Sequence, residues 1–128
     1  MLISLDFLSD TPIYQQIRDQ IVEGIAKGEL KQGDPLPSVR TLSSECGINA
    51  TTVNKAYQLL KQEGYVAVNR RQGTFVHLSS QESAPDIKTV QALRLSLMEL
   101  IAQGMSEQEI LTLCTKLLAS HTSKRSQS

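Results

Sequence analysis

Apolar residues return every four positions near the start of the chain. Ile13, Ile17, Ile21 and Ile25, with Tyr14 beside them, place one apolar stripe on a helix. Thr11 is read as its hydroxyl cap and Pro12 as its first residue, where a missing N–H does no harm. The helix is expected to end near Lys27 and Gly28. Positions 30–37 hold Gly33, Asp34, Pro35 and Pro37, so they form a loop. Ser38 then caps a short second helix carrying Val39 and Leu42, which stops around Cys46 and Gly47. Ile48 turns inward. Asn49 caps a third helix over about 50–63, with Val53, Ala56, Tyr57 and Leu60 inside. Its outer face shows Thr51, Thr52, Asn54 and Lys55, and Gly64 ends it. The periodicity then turns β-like. Segments 65–68 and 74–78 flank Asn69-Arg70-Arg71-Gln72-Gly73, which predicts a hairpin with a basic tip.

Two helices joined by a tight turn and followed by a hairpin make a winged helix-turn-helix. After it, 79–85 is polar and reads as a linker. Asp86 caps a fourth helix through about Gln103, with Val90, Leu93, Leu97 and Leu100 spaced by three and four. Gly104 ends it. Ser106-Glu107-Gln108-Glu109 is a capping box that opens a fifth helix, with Ile110, Leu113, Leu117 and Leu118 on one side. The predicted fold class is α+β, mostly helical. Its parts are a winged helix-turn-helix over 1–78, a linker over 79–85, a two-helix dimerisation region over 86–120 and a disordered tail over 121–128.

Two short helices cannot bury both of these apolar rows on each other alone. An exposed apolar patch of that size marks an interface. The dimerisation residues are therefore expected to be Val90, Leu93, Leu97, Leu100, Ile110, Leu113 and Leu117. A two-fold dimer would present its two groove helices about 34 Å apart, one turn of DNA. The competing arrangement folds the tail back onto its own winged domain. The short linker and heptad-like spacing favour the dimer.

Composition narrows the class further. Of 128 residues, 40% are hydrophobic and 20% charged, which suits a soluble globular chain. No apolar stretch approaches the roughly 20 residues that span a bilayer, so no membrane partner is expected. The N-terminus lacks a basic, cleavable signal, so the cytoplasm is the expected compartment. Cys46 and Cys114 are the only cysteines, too few for a disulfide framework. Both read as small core residues, and Tyr14, Tyr57, Tyr65 and Phe75 read as core aromatics. His77 and His121 lack partners for metal or catalysis, and neither a catalytic constellation nor a cofactor site is evident. The chain is not expected to be an enzyme.

Net charge is zero, which by itself argues against a nucleic-acid partner. The distribution reverses that argument. Between Ser38 and His77, Arg40, Lys55, Lys61, Arg70 and Arg71 face only Glu45 and Glu63, leaving +3. In a helix-turn-helix the second helix enters the major groove, and its early residues meet base edges. Those are Thr51, Thr52 and Asn54. Asparagine can pair twice with adenine, and threonine can offer a hydroxyl or a methyl. Lys55 is expected on phosphate, Arg40 on phosphate or a base edge, and Arg70 and Arg71 on backbone or minor groove. The expected DNA-binding set is Ser38, Arg40, Thr51, Thr52, Asn54, Lys55, Arg70, Arg71, Gln72, Gly73 and Thr74, on an operator duplex.

The same residues carry a resemblance. Pro12-Ile13-Tyr14-Gln15-Gln16-Ile17, Gly28-Glu29-Leu30, Gly33-Asp34 and Leu36-Pro37-Ser38-Val39-Arg40-Thr41-Leu42 stand in order. They are followed by Thr52-Val53, Ala56-Tyr57, Leu60, Glu63-Gly64-Tyr65 and Gly73-Thr74-Phe75-Val76. This half of the chain resembles the DNA-binding domain of the GntR family of bacterial transcription regulators. The resemblance implies DNA contacts at Arg40, Thr51, Thr52 and the wing from Arg71 to Thr74. Two positions depart from the common pattern. Ala50 stands where many members have an arginine, so base reading shifts to Thr51, Thr52, Asn54 and Lys55. Arg71 stands where many have a glycine, which adds a charge and is expected to alter the turn.

The 50 residues after Leu78 are enough for two helices. That is similar to the small YtrA-like subfamily, whose members dimerise through such a tail and often repress transporter operons. A small-molecule effector, whose identity the sequence does not give, would have to sit between the winged domain and the tail or at the dimer interface. Two other readings stay open. One is a winged helix used to bind protein, with weak and sequence-blind DNA affinity. The other is an enzyme with an active site at the dimer interface.

Overall fold

The computed structural model describes residues 3–78 and 85–126. The elements run α1 (Ile13–Ala26), α2 (Val39–Cys46), α3 (Ala50–Gln62), β1 (Val66–Asn69), β2 (Gly73–Val76), α4 (Ile87–Ala102) and α5 (Glu107–Ser126). The chain divides into two compact units, Met1–Gln81 and Glu82–Ser128. The linker expected at 79–85 lies, apart from Pro85, outside the described residues.

The first unit is built around α1 and α3. Ile17 and Ile21 on α1 pack with Val53, Ala56, Tyr57 and Leu60 on α3, and all six are buried. Helical spacing marked these positions as inward, and Ile13 and Ile25 of the same α1 stripe are half-buried. Leu36, Leu42, Val66 and Val76 close the core from the loop, α2 and both strands. Phe75 is a correction. It is half-buried and outside this cluster, with its ring edge-on to His77 at 6.0 Å between centroids.

The start of α1 also differs from expectation. Its N-cap is Pro12 rather than Thr11, and no side chain caps it. Extended glutamine side chains do related work on the chain before it. Gln20 exchanges hydrogen bonds with the backbone of Ser4 at 2.9 and 2.6 Å, and Gln16 does the same with Asp6 at 2.9 Å both ways. Two amides one helical turn apart thus imitate a strand and satisfy backbone groups of the N-terminal segment.

β1 and β2 pair antiparallel, with Val66 opposite Val76 and Asn69 opposite Gly73. The loop between α1 and α2 adds to this sheet. Gly33 N–H donates to the Val76 carbonyl, Val76 N–H to that of Asp34 and Leu36 N–H to that of Thr74, each at 2.8 Å. Backbone ladders therefore tie the wing directly to the residues that lead into α2.

The second unit is a helical hairpin. The capping box forms as expected: Glu109 N–H donates to Ser106 Oγ at 3.1 Å, and Ser106 N–H to Glu109 Oε1 at 2.8 Å. α5 runs on to Ser126. No glycine or proline interrupts 107–126, and extending a helix already nucleated is cheap. The apolar positions split into two groups. Ile110 is buried, and Leu97, Leu100, Leu113 and Cys114 are half-buried. Val90, Leu93 and Leu117 stay exposed, with Ile87, Leu95, Met98, Ile101, Leu111 and Leu118. The α4 arc is too wide for one partner helix to cover.

Candidate DNA interface

α2 begins at a well-made cap. Thr41 N–H donates to Ser38 Oγ at 3.0 Å, and the Ser38 hydroxyl donates to Thr41 Oγ1 at 2.9 Å. The Ser38 proton is therefore committed within the cap, which weakens Ser38 as a donor to DNA. Thr41 is exposed beside it, and its own hydroxyl proton remains to be given. Sequence reasoning passed over Thr41, although the Ser-x-x-Thr spacing was the signal. Arg40 is exposed in the same first turn.

Gly47 takes a left-handed conformation, with φ of 67°, and ends α2. Ile48 follows inward, and its N–H reaches the Ser43 carbonyl at 3.0 Å. Asn49 Oδ1 then accepts from Thr51 N–H at 3.0 Å and opens α3. Thr51, Asn54 and Lys55 are exposed and Thr52 is half-buried. The opposite face is locked into the core, so this row cannot rotate away. Tyr57 fastens α3 to the loop just before the α2 cap by donating its hydroxyl to the Pro37 carbonyl at 2.7 Å. Burial pushes the Tyr57 hydroxyl well above its ordinary range, followed by the charges expected of Cys46 and Glu45, so it remains a proton donor. Tyr57→Phe is expected to lower unfolding stability by about 1–2 kcal/mol, because it strands a carbonyl. Urea denaturation checks this, and an unchanged midpoint would mean that water replaces the bond.

At the wing tip, Asn69 Oδ1 accepts from Gln72 N–H at 2.6 Å, and Asn69 Nδ2 donates to Gln72 Oε1 at 3.2 Å. Gln72 thus shapes the turn. The left-handed position falls at Gly73, with φ of 68°, and no other residue type among the described residues has positive φ. Arg71 therefore occupies its place without strain, and the altered turn expected there is not needed. Arg70 and Arg71 are exposed, while Thr74 is half-buried with its carbonyl in the ladder.

The charges fit this face. The ion pairs recorded among the described residues are Arg18–Asp19 at 2.9 Å, Arg18–Glu63 at 2.8 Å and Lys27–Glu23 at 3.9 Å. Arg40, Arg70 and Arg71 take part in none of them. Glu63, one of two acids counted against the basic segment, is occupied by Arg18. Burial opposes the Arg18 charge, but hydrogen bonds and attraction from Glu63 and Asp19 outweigh it and raise its pKa. Cys46 is half-buried, and burial, then Glu45, pushes its thiol up, away from reactivity. No group of His, Cys, Asp and Glu suited to a metal occurs among the described residues. None of their helices is long and apolar enough to cross a membrane.

Residues 13–76, the whole block from α1 to the end of β2, match the bacterial regulatory proteins of the gntR family. The chain belongs to the GntR family. It is 45% identical over 75 residues to the HTH-type transcriptional repressor YtrA of Bacillus subtilis, covering 59% of this chain and 58% of that one. The match therefore spans just over half of that relative. YtrA from Sulfolobus acidocaldarius, a GntR-family transcription factor, superposes with a TM-score of 0.63 at 43% identity, over 80% of this chain and 99% of the other. These relatives place the chain in the YtrA-like group. A transcriptional antiterminator from Listeria monocytogenes superposes with a TM-score of 0.85 at 28% identity, over 94% and 92% of the two chains. The AraR DNA-binding domain, solved in complex with an operator, superposes with a TM-score of 0.50 at 27% identity, over 57% and 90%. The family consists of DNA-binding transcription regulators rather than enzymes.

Proposed function

We propose that the chain is a homodimeric repressor of a transporter-type operon, acting in the cytoplasm on a pseudo-palindromic operator. α3 enters the major groove, where Thr51, Thr52 and Asn54 read base edges. Arg40 and Thr41 meet the duplex from α2, and Arg70 and Arg71 from the wing. The observation that carries this reading is the exposed recognition row. Beside it, Arg40, Arg70 and Arg71 enter none of the ion pairs recorded among the described residues, and the row stands on a block braced by the Tyr57–Pro37 bond and the loop–wing ladder. The occupant proposed for the exposed apolar residues of α4 and α5 is a second copy of this chain. A two-fold pair would cover both arcs at once and supply the second groove helix that an inverted repeat requires.

Selection from a random duplex library tests the reading. An enriched inverted repeat, bound by two subunits with a steep salt dependence, is the expected result. Weak, sequence-blind binding would sink it and favour a protein-binding winged helix. On the selected duplex, Arg71→Ala is expected to weaken binding to all sequences alike and to flatten the salt slope by about one per subunit, hence about two for the bound dimer. A loss confined to certain sequences would instead place Arg71 on bases.

A further inference from the structure

Lys55 has a neighbour that sequence reasoning did not foresee. Its ammonium lies 4.2 Å from the centroid of the Tyr14 ring on α1. Tyr14 is half-buried against the core, so the ring is held in place, while Lys55 is exposed. A carboxylate in that position would cancel the charge and compete with phosphate. An aromatic face attracts the cation yet leaves its N–H groups and its full charge available to an incoming anion. Lys55 follows Thr51 by four residues and Thr52 by three, so it rises from the same side of α3 as the proposed base readers. An unheld lysine there would sweep across phosphates and guanine edges alike, since its long stem rotates freely.

We propose that Tyr14 is a positioning residue for DNA recognition. Its ring draws the Lys55 ammonium towards α1 and presets it as a phosphate contact, which leaves base reading to Thr51, Thr52 and Asn54. The inference rests on the DNA-binding reading and brings α1 into the interface.

The test uses the full chain, the selected duplex and four variants: Lys55→Gln, Tyr14→Phe, Tyr14→Leu and the Lys55→Gln/Tyr14→Leu double. Lys55→Gln is expected to lower the salt slope by about one per subunit, hence about two for the bound dimer, without altering base preference. Tyr14→Leu is expected to weaken binding about two- to fivefold per subunit, the range for one exposed cation–π contact. Tyr14→Phe keeps the ring and is expected to bind as the unmodified protein does. The double variant is expected to bind no more weakly than Lys55→Gln alone, because the two residues act as one unit. In the free protein, the Lys55 ε-methylene proton resonances are expected upfield, and to stay there in Tyr14→Phe. Additive losses would overturn the proposal by reducing Tyr14 to a packing role. So would a changed base preference in Lys55→Gln, or no upfield shift in the unmodified protein, a result that does not depend on Tyr14→Leu folding. Absence of DNA binding by the unmodified chain would remove the DNA reading and this inference together, whereas specific binding without coupling removes this inference alone.

Discussion

The variant Val90→Asp/Leu93→Asp is expected to sediment as a monomer and to bind the operator about 10²–10⁴-fold more weakly than the unmodified chain. Both side chains are exposed on α4, at 45% and 57%. In the proposed dimer they would be covered, and four introduced carboxylates would meet across the two-fold axis. Burying unpaired charge is prohibitive, so the subunits would separate. The size of the affinity loss follows from effective concentration. Once one winged domain is on its half-site, the tail converts the second binding event into an intramolecular one, and that advantage vanishes in the monomer. Leu97 is a poorer place to make the cut. It is half-buried within the helical hairpin, so a charge there would damage α4 and α5 packing together with any interface. Analytical ultracentrifugation decides the matter, and an intact dimer would move the interface off this face of α4.

Thr52→Ala is expected to cost about 1–3 kcal/mol of specific binding and to relax preference at one or two base pairs. Thr52 sits in the first turn of α3, half-buried between the core and the exposed row. Alanine is a better helix former than threonine, so any loss cannot be assigned to a weakened helix. What disappears is a hydroxyl able to donate or accept and a methyl able to meet thymine. The contrast with Arg71→Ala is informative. One variant should change which sequences are chosen, and the other only how tightly all of them are held. Repeating the selection with Thr52→Ala distinguishes these, and an unchanged motif would remove Thr52 from base readout.

Much of the first unit was legible because its signals are local. Ile17 and Ile21, or Val53, Ala56, Tyr57 and Leu60, repeat at helical spacing, and the structure buries every one of them. Ser38, Asn49 and the Ser106–Glu109 box are caps whose partners lie two or three residues away, so a short window of sequence contains the whole interaction. The family pattern over 13–76 was readable for the same reason, since its residues stand in fixed order and spacing.

The interactions that were missed join residues far apart in the chain. The ladder from Gly33–Leu36 to β2, the Gln16 and Gln20 bonds to the N-terminal segment, and Tyr57 with Pro37 all depend on which surfaces meet. A glutamine does not announce in sequence that it will stand in for a strand. Nor could the apolar row of α4 show which half of its arc α5 would take. That choice leaves Leu97 and Leu100 half-buried, and Val90, Leu93, Met98 and Ile101 exposed.

The sequence by itself determined the helices, the caps at Ser38, Asn49 and Ser106, the hairpin and the family, because periodicity and capping act within one or two turns. Only the tertiary structure decided that the wing is tied to the entry of α2, that Ser38 spends its hydroxyl on a cap, and that Lys55 rests on Tyr14. Those outcomes depend on distance in space, which packing sets and chain order does not.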